Sequence, residues 1–241
     1  MCGMNISCVS DLEGRFPFIY HVLSSTDATD HAMSAESAAC ERGRSLVQYL
    51  SRATQKAAWY LGGYLHDSEV LHSSLVNNEF HIRLDDFSTH CLFDVLARHR
   101  GMTTDSCFGK PAPLDVMIRH VDQIDFFQLE EDQRFSRCDS NVLVPKSTWL
   151  YDDIDFARPE QFGLGLIFWT PSSDHILVAL HARSIEFDEH QEESFVSLFG
   201  VECVDLFNAY WKARKRRSFD RSQIKDVLEG NSDFDDWCAP L

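Results

Sequence analysis

Cysteine and histidine are the residues of this sequence best suited to carry out chemistry. Cys91 follows His90 directly and stands a short way before His99, so a thiol and an imidazole base could meet on this segment. The alternative is a packing role, because Cys91 is flanked by Leu92 and Phe93 and an unreactive cysteine behaves as a small apolar residue. The spacing leaves both readings open and favours packing.

The cysteines and histidines as a whole follow no metal-binding pattern. The eight cysteines are scattered without a Cys-x-x-Cys pair, and the eleven histidines include no His-Glu-x-x-His helix. A nucleophile elbow, a phosphate-binding loop and a dinucleotide fingerprint are also missing from the sequence. We therefore predict no catalytic residue, no metal ligand and no cofactor, and the sequence leans against an enzyme.

One segment bears on hydrolase chemistry, the run Asn5-Ile-Ser-Cys-Val-Ser-Asp-Leu-Glu-Gly-Arg15. It resembles the opening of calcineurin-like phosphoesterases, where a strand delivers an Asp and a His to two metal ions that activate water. Glu13 stands where that His would be, and the later metal-binding segments of the family do not follow. The resemblance implies a degenerate metallophosphoesterase-like hydrolase, which is one alternative function.

The charge balance limits the classes of partner. The chain of 241 residues has a formal net charge of −16, which opposes binding to a phosphate backbone, so we predict no direct nucleic-acid binding. Only the segment Lys212–Arg217 is locally basic. It fits the C-terminal end of a helix, where cations complement the helix dipole, or a contact with an acidic partner.

No run of the sequence is long enough to cross a membrane. The longest strongly apolar run lies around Gly163–Trp169, far short of the roughly 20 residues that a spanning helix needs. The N-terminus lacks a basic region followed by an apolar stretch. With cysteines in no disulfide pattern, the expected location is the cytoplasm.

Two hairpins are predicted from alternation and turn residues. Phe162–Trp169 and His175–Ala182 are rich in β-forming residues, and Pro171–Asp174 supplies the turn between them. Asn77-Asn78 separates Val70–Val76 from Glu79–Leu84, in which apolar and polar residues alternate. Period-two alternation also places His175 and His181 on one strand face with Leu177 and Ala179.

Helices are predicted in four other places. Apolar residues recur at helical spacing after Ser34, after Asp86 and from Leu114 to Val121. A long amphipathic helix is expected from Asp188 to Trp211, with Asp188 as its N-terminal cap and an apolar stripe that includes Phe199 and Phe207. The acidic segment 123–139 reads as a solvated connection held by a few aromatic residues, and segments 4–10 and 142–144 as short strands.

The run from Trp149 through the second hairpin to the start of the long helix resembles the end of the GAF-like sensor domains of LuxR-type transcriptional regulators. In that family an aromatic-rich helix with a Tyr leads to two strands, an Arg and an acid-capped helix rich in Phe; Tyr151, Arg183, Phe187 and Asp188 match those places. The resemblance covers 148–210, roughly a quarter of the chain. The helix-turn-helix of the family has no counterpart here.

These features together predict a mixed α/β (α+β) fold, a GAF/PAS-like antiparallel sheet covered by helices, with a long C-terminal helix. One domain is expected over 1–217, with the GAF/PAS-like part at about 68–217, followed by an acidic tail over 218–241. The long helix offers more apolar surface than one sheet face needs, so a homodimer through Asp188–Trp211 is also expected.

The resemblance implies a non-catalytic regulatory or sensory module that binds a small ligand or a protein partner. A pocket between the sheet and its covering elements would be lined by Trp149, Tyr151, Phe168, His181 and Arg183. For most of these residues a structural role in the core or at an edge competes with ligand binding. The acidic surface supports another alternative, an interaction or inhibitor/immunity-type protein that binds a basic protein partner.

Overall fold

The structure is a computed structural model that describes residues 4–24, 60–61, 65–87, 89–90, 93, 97, 111–158 and 161–190. Its main element is a nine-stranded sheet in which every pair of neighbours is antiparallel. The strands are β1 (Glu69–Val76), β2 (Glu79–Asp85), β3 (Pro113–Arg119), β4 (Gln123–Leu129), β5 (Phe135–Cys138), β6 (Thr148–Arg158), β7 (Gln161–Trp169), β8 (His175–Ala182) and β9 (Ser184–Glu189).

The strand order shows that the sheet folds over on itself. The order is β5-β4-β8-β7-β6-β1-β2-β3-β9, so β3 and β4 lie in different halves of the sheet although only residues 120–122 separate them. The same is true of β8 and β9, which are separated by Arg183 alone. Because these connections are too short to cross a flat sheet, the two halves must face each other. We call β4, β5, β6, β7 and β8 the upper half, and β1, β2, β3 and β9 the lower half.

The main core lies between the two halves. Alternate residues of each strand point into it, which is the period of two that strand geometry imposes. Phe80 of the lower half and Phe126 of the upper half meet edge to face with ring centroids 5.9 Å apart. The other buried strand side chains in this cluster include Ile82, Leu84, Leu114, Val116, Ile118, Trp149, Leu164, Leu166, Phe168, Val178 and Leu180.

A second core covers the outer face of the upper half. The N-terminal segment packs there with a 3-10 helix, Val9–Leu12, and one α-helix, α1 (Pro17–Ser24). Phe16 and Ile19 lie directly over Gly165 of β7, where an added Cβ would come within 3.0 Å of both side chains. A glycine at this position therefore allows α1 to approach the sheet closely.

The predicted fold class is wrong. The described residues form a β-rich fold in which a folded sheet supplies both walls of the core and α1 covers part of one outer face. The predicted start of the long C-terminal helix is also wrong, since Phe187 and Asp188 belong to β9. Residues 191–217 and the predicted acidic tail lie outside the described residues, as does most of the segment after Ser34.

Several smaller predictions also need correction. The segment Leu114–Val121 is predicted to be a helix, but β3 covers it as far as Arg119. The segment 123–139 contains β4 and β5 in place of a solvated connection. Trp149 and Tyr151 lie in β6 and not in a helix before the sheet. The expected strand at 142–144 is replaced by a 3-10 helix, Ser140–Val142. In place of the expected strand at 4–10, the structure has an isolated bridge between Cys8 and Arg134 and the start of the 3-10 helix Val9–Leu12.

The two predicted hairpins are confirmed. β1 pairs with β2 around Asn77 and Asn78, whose φ angles of 51° and 63° fit a two-residue turn of type I′. β7 pairs with β8 around residues 170–174. His181 lies on the same face of β8 as Leu177 and Ala179, as alternation predicts, because those two residues belong to the outer core and their neighbours Val178 and Leu180 to the inner one.

Candidate functional site

The five predicted ligand-binding residues lie on both faces of the upper half. Trp149 and Phe168 are completely buried in the inner core and pack edge to face, with ring centroids 5.1 Å apart. Tyr151 points to the outer face, where its ring contacts Phe18 of α1. A register shift between Trp149 and Tyr151 gives Leu150 no direct partner on β7, although Trp149 lies opposite Phe168 and Tyr151 opposite Ile167.

The other two predicted residues lie where β8 meets β9. His181 is 8% exposed on the outer face, beside Gly163. Arg183 is exposed in the connection and forms a 3.7 Å ion pair with Asp122. The five residues therefore do not share one face of the sheet, and a ligand-binding role for any one of them stays a prediction.

Asp152 is a buried acidic residue that sequence reasoning missed at this site. It lies opposite Leu166 of the inner core, is 4% exposed, and accepts a 3.2 Å hydrogen bond from the indole N–H of Trp149. Burial raises the pKa of this carboxyl well above its usual range, the Trp149 bond opposes the shift and the neighbouring Asp153 adds to it. The adjacent pair of aspartates gave no signal in the sequence, because only the register of β6 decides which one faces the inner core.

The residues singled out for hydrolase or thiol chemistry have structural partners. The Asp11 carboxylate accepts hydrogen bonds from the backbone N–H groups of Ser7 and Cys8 and from the Ser7 hydroxyl, which lower its pKa to about 2. His90 lies 2.7 Å from an Asp85 carboxylate oxygen through Nε2, while Cys91 lies outside the described residues. Burial by itself raises the pKa of Asp85, but the hydrogen bonds from His90 and from the Ala112 N–H lower it by more. The pKa of Asp85 therefore lies below its usual value.

A surface cluster on the lower half joins two histidines to one carboxylate. Nε2 of His81 and Nε2 of His190 lie 2.8 and 2.9 Å from the two carboxylate oxygens of Asp115. This arrangement ties β2, β3 and the end of β9 together through side chains. Across the described part of the chain, no group of three or more His, Cys, Asp or Glu residues is arranged to hold a metal ion.

A concave surface at one end of the upper half forms a groove, which we call the acidic groove. It has a volume of about 1140 Å³ and lies between the β4–β5 turn and the β7–β8 turn. Its lining residues are Ser7, Gln128, Leu129, Glu130, Glu131, Asp132, Arg134, Phe135, Ser136, Ser173, Asp174 and His175. A hydrogen bond of 3.0 Å from the Gln128 amide to Asp174 connects the two walls.

Carboxylates dominate the electrostatics of the acidic groove. Arg134 pairs with Asp132 and lowers the pKa of that carboxyl, so this pair is internally neutral. Glu130 accepts a 2.6 Å bond from the Ser136 hydroxyl. Glu131 makes no hydrogen bond or ion pair with another described residue.

An exposed aromatic side chain lies next to the acidic groove. Trp169 is 47% exposed and stacks on His175 of the groove lining, with centroids 6.4 Å apart and ring planes within 8°. Most large apolar side chains of the upper half are buried, whereas this indole is exposed. It is therefore available to a binding partner.

Comparison of the chain with protein-family models, curated proteins and solved structures gave no match. The resemblance to GAF-like sensor domains therefore stays a prediction from the sequence. In the stretches that the structure describes, no helix combines the length and apolar character needed to cross a membrane.

Proposed function

We propose that this protein is a non-catalytic interaction module whose acidic groove binds a cationic segment of a partner protein. The observation that supports this most directly is the groove itself, in which two hairpin turns hold several carboxylates around one concave surface. The proposal keeps the basic protein partner expected from the net charge of −16 and gives it a location. A cytoplasmic setting is part of the same proposal.

The chemistry of the groove fits lysine or arginine side chains of an extended segment. Complementary charge speeds encounter and selects against acidic partners more than it adds affinity. Leu129 and Phe135 offer apolar contacts in the groove for the aliphatic part of such side chains. The exposed face of Trp169 can hold a cation over its ring, a contact that favours arginine.

In this proposal the protein has a regulatory or sensory role only through its binding of the partner protein. A small-molecule pocket formed by the five predicted residues has no geometric support, because Trp149 and Phe168 lie in the inner core while Tyr151, His181 and Arg183 lie elsewhere. In the segment that resembles a phosphoesterase, Asp11 accepts three local hydrogen bonds, which gives this carboxylate a structural role in the N-terminal segment.

The proposal is tested by titrating the protein into a fluorescent oligoarginine peptide and following anisotropy at several salt concentrations. We expect saturable binding that weakens steeply as salt rises, since exposed charges are screened over about 10 Å at 0.1 M salt. Replacing Glu131 with Lys should weaken binding by roughly fivefold, about 1 kcal/mol, because a cation then stands at the groove.

Glu13→Lys is the matched control. Glu13 is exposed, carries the same charge and is not part of the groove lining, so its reversal changes the net charge by the same amount. We expect it to weaken binding by less than about twofold. Equal losses in the two variants would mean that the peptide responds to the overall charge, and the groove would lose its assigned role.

A further inference from the structure

A row of mostly apolar side chains crosses the upper half beside the acidic groove, and strand pairing sets its members. Phe135 of β5 lies opposite Leu129 of β4, which lies opposite His175 of β8. His175 in turn lies opposite Trp169 of β7. We call these four residues the cross-strand row. Neighbouring strands lie about 4.8 Å apart, so three strand spacings give the row a length of about 14 Å.

The cross-strand row lies on the outer face of the upper half. Leu177 and Ile167, two positions away from His175 and Trp169 on their strands, belong to the outer core. The two other members of the row belong to that core or pack against it. The row therefore forms one surface, and all of its members except Trp169 also line the acidic groove.

The β7 and β8 end of the cross-strand row presents an aromatic surface to solvent. Trp169 is 47% exposed, and it is the only exposed large apolar side chain among the described strand residues of the upper half. Its ring and the ring of His175 lie within 8° of parallel, so the two rings form one platform. A platform of this kind favours contact with an apolar or aromatic side chain.

Carboxylates border the cross-strand row where the strands end. Glu130 follows Leu129 of the row directly, and Asp174 precedes His175 directly. The β4–β5 turn adds Glu131. The same turn also holds an arginine, but Arg134 is paired with Asp132. An apolar strip therefore lies beside a negatively charged rim.

On the basis of the function proposed above, we propose that the partner segment is amphipathic, with cationic and apolar side chains in alternation along an extended backbone. Successive side chains of an extended chain point to opposite sides. One set can therefore lie on the cross-strand row while the other set reaches the carboxylates at the strand ends. About five extended residues are enough to cross the row.

Charge favours such a segment over a second copy of this chain. Each copy has a net charge of −16, so two copies that meet at the cross-strand row bring their acidic rims together. The cations of an amphipathic segment are attracted to the rim, and its apolar side chains cover the exposed indole of Trp169.

Two fluorescent peptides of the same composition provide the central experiment. Arginine and leucine alternate in one peptide, and all arginines precede all leucines in its block isomer. The two peptides have the same charge, so a difference in affinity reports the arrangement of the side chains. In anisotropy titrations of the unmodified protein we expect the alternating peptide to bind roughly fivefold more tightly, because it can place leucines on the cross-strand row and arginines at the rim together.

Three variants locate this preference on the cross-strand row. Trp169→Ser should abolish the preference for the alternating peptide, whereas Trp169→Phe keeps an aromatic face and should retain it. Phe87→Ser is the matched control and should leave the preference unchanged, since Phe87 is 39% exposed and lies outside the groove lining.

Glu131→Lys separates this inference from the proposed function. It should weaken both peptides by a similar factor, because it changes the charge of the rim and leaves the apolar surface intact. Equal affinity of the unmodified protein for the two peptides, or a preference that survives in Trp169→Ser, would overturn the inference while a loss in Glu131→Lys still supports the proposed function. Unchanged binding of both peptides in Glu131→Lys would remove the proposed function and this inference with it.

Sedimentation tests the other occupant. We expect Trp169→Ser and the unmodified protein to sediment alike. Self-association of the unmodified protein that Trp169→Ser abolishes would assign the cross-strand row to a contact between copies of this chain, and it would overturn the inference.

Discussion

The indole N–H of Trp149 donates a 3.2 Å hydrogen bond to the carboxyl group of Asp152, and both residues are buried on the inner face of β6. Burial of a carboxyl with a single neutral donor is unfavourable for its charged form. Through this carboxyl, which lies in an otherwise apolar core, the free energy of unfolding therefore depends on pH.

Replacing Asp152 with Asn should remove this pH dependence. The folded-state pKa of Asp152 is raised well above the usual value of 3.8, so the folded protein retains a proton that the unfolded chain releases above about pH 4. Stability therefore falls as pH rises from about 4 towards the folded pKa. Between about pH 4 and 7 the Asn variant should therefore gain stability relative to the parent, because it has no carboxyl to ionise. Urea unfolding of the parent and the variant at both pH values measures this. The same change in stability with pH in the two proteins would contradict it.

The same substitution at the next residue should have the opposite effect. Asp153 faces the outer side of β6 and accepts hydrogen bonds from the backbone N–H of Phe18 at 2.7 Å and from that of Ile154 at 2.8 Å. Asp153→Asn brings an amide N–H₂ against one of these donors, so we expect a loss of about 1–3 kcal/mol in the free energy of unfolding. Hydrogen exchange should show faster exchange in α1. Unchanged exchange there would mean that Asp153 does not anchor the helix.

Asp11 should stabilise the N-terminal segment at neutral pH and lose that effect in acid. Its pKa is lowered to about 2, so its contribution is present above the unfolded value near 4 and is lost as pH falls from about 4 to about 2. Asp11→Asn should speed exchange of the Ser7 and Cys8 amides at about pH 6, with a smaller difference at about pH 3. Glu13→Gln is the control, since Glu13 accepts none of these bonds. A difference that does not shrink in acid would contradict the linkage.

The parts of the fold that the sequence predicted correctly are those in which turn chemistry and alternation agree. Asn77 and Asn78 adopt the positive φ angles that a type I′ turn requires, and asparagine tolerates this conformation. The alternation of Phe80, Ile82 and Leu84 with polar residues then sets the register of β2. Local signals were sufficient in these hairpins because their partners are close in sequence.

The predictions are wrong where the same residues fit both the period of a helix and the period of a strand. Ile118 follows Leu114 by four positions, a spacing that suits one face of a helix and also one face of a strand. Met117 fits the helix pattern, whereas Val116 is buried with Leu114 and Ile118 in β3. Asp188 is a good helix cap by residue type, yet Ile185 and Phe187 alternate with it in β9. Pairing with a distant strand decided both cases, and a single sequence does not display such pairing.

The candidate site could be predicted only in part for a related reason. The acidic residues of segment 130–132 were recognised, but the groove forms because the β4–β5 turn lies beside the β7–β8 turn, 40 residues later in the chain. The sequence assigns the five predicted ligand-binding residues to one pocket between the sheet and its covering elements. The register shift after Trp149 places Tyr151 on the opposite face of β6 and separates them.

Gly165 should be intolerant of a side chain because α1 packs directly on it. A Cβ at this position would lie 3.0 Å from side-chain atoms of both Phe16 and Ile19, so in Gly165→Ala these side chains must move by a few tenths of an ångström, which should cost about 1–3 kcal/mol. Gly14→Ala is the control, since nothing lies within 4 Å of its added Cβ, and it should change stability by less than about 0.5 kcal/mol. Urea unfolding measures both variants. Equal stability of the two would show that the outer core accommodates the methyl group and that the close approach of α1 to β7 is not required.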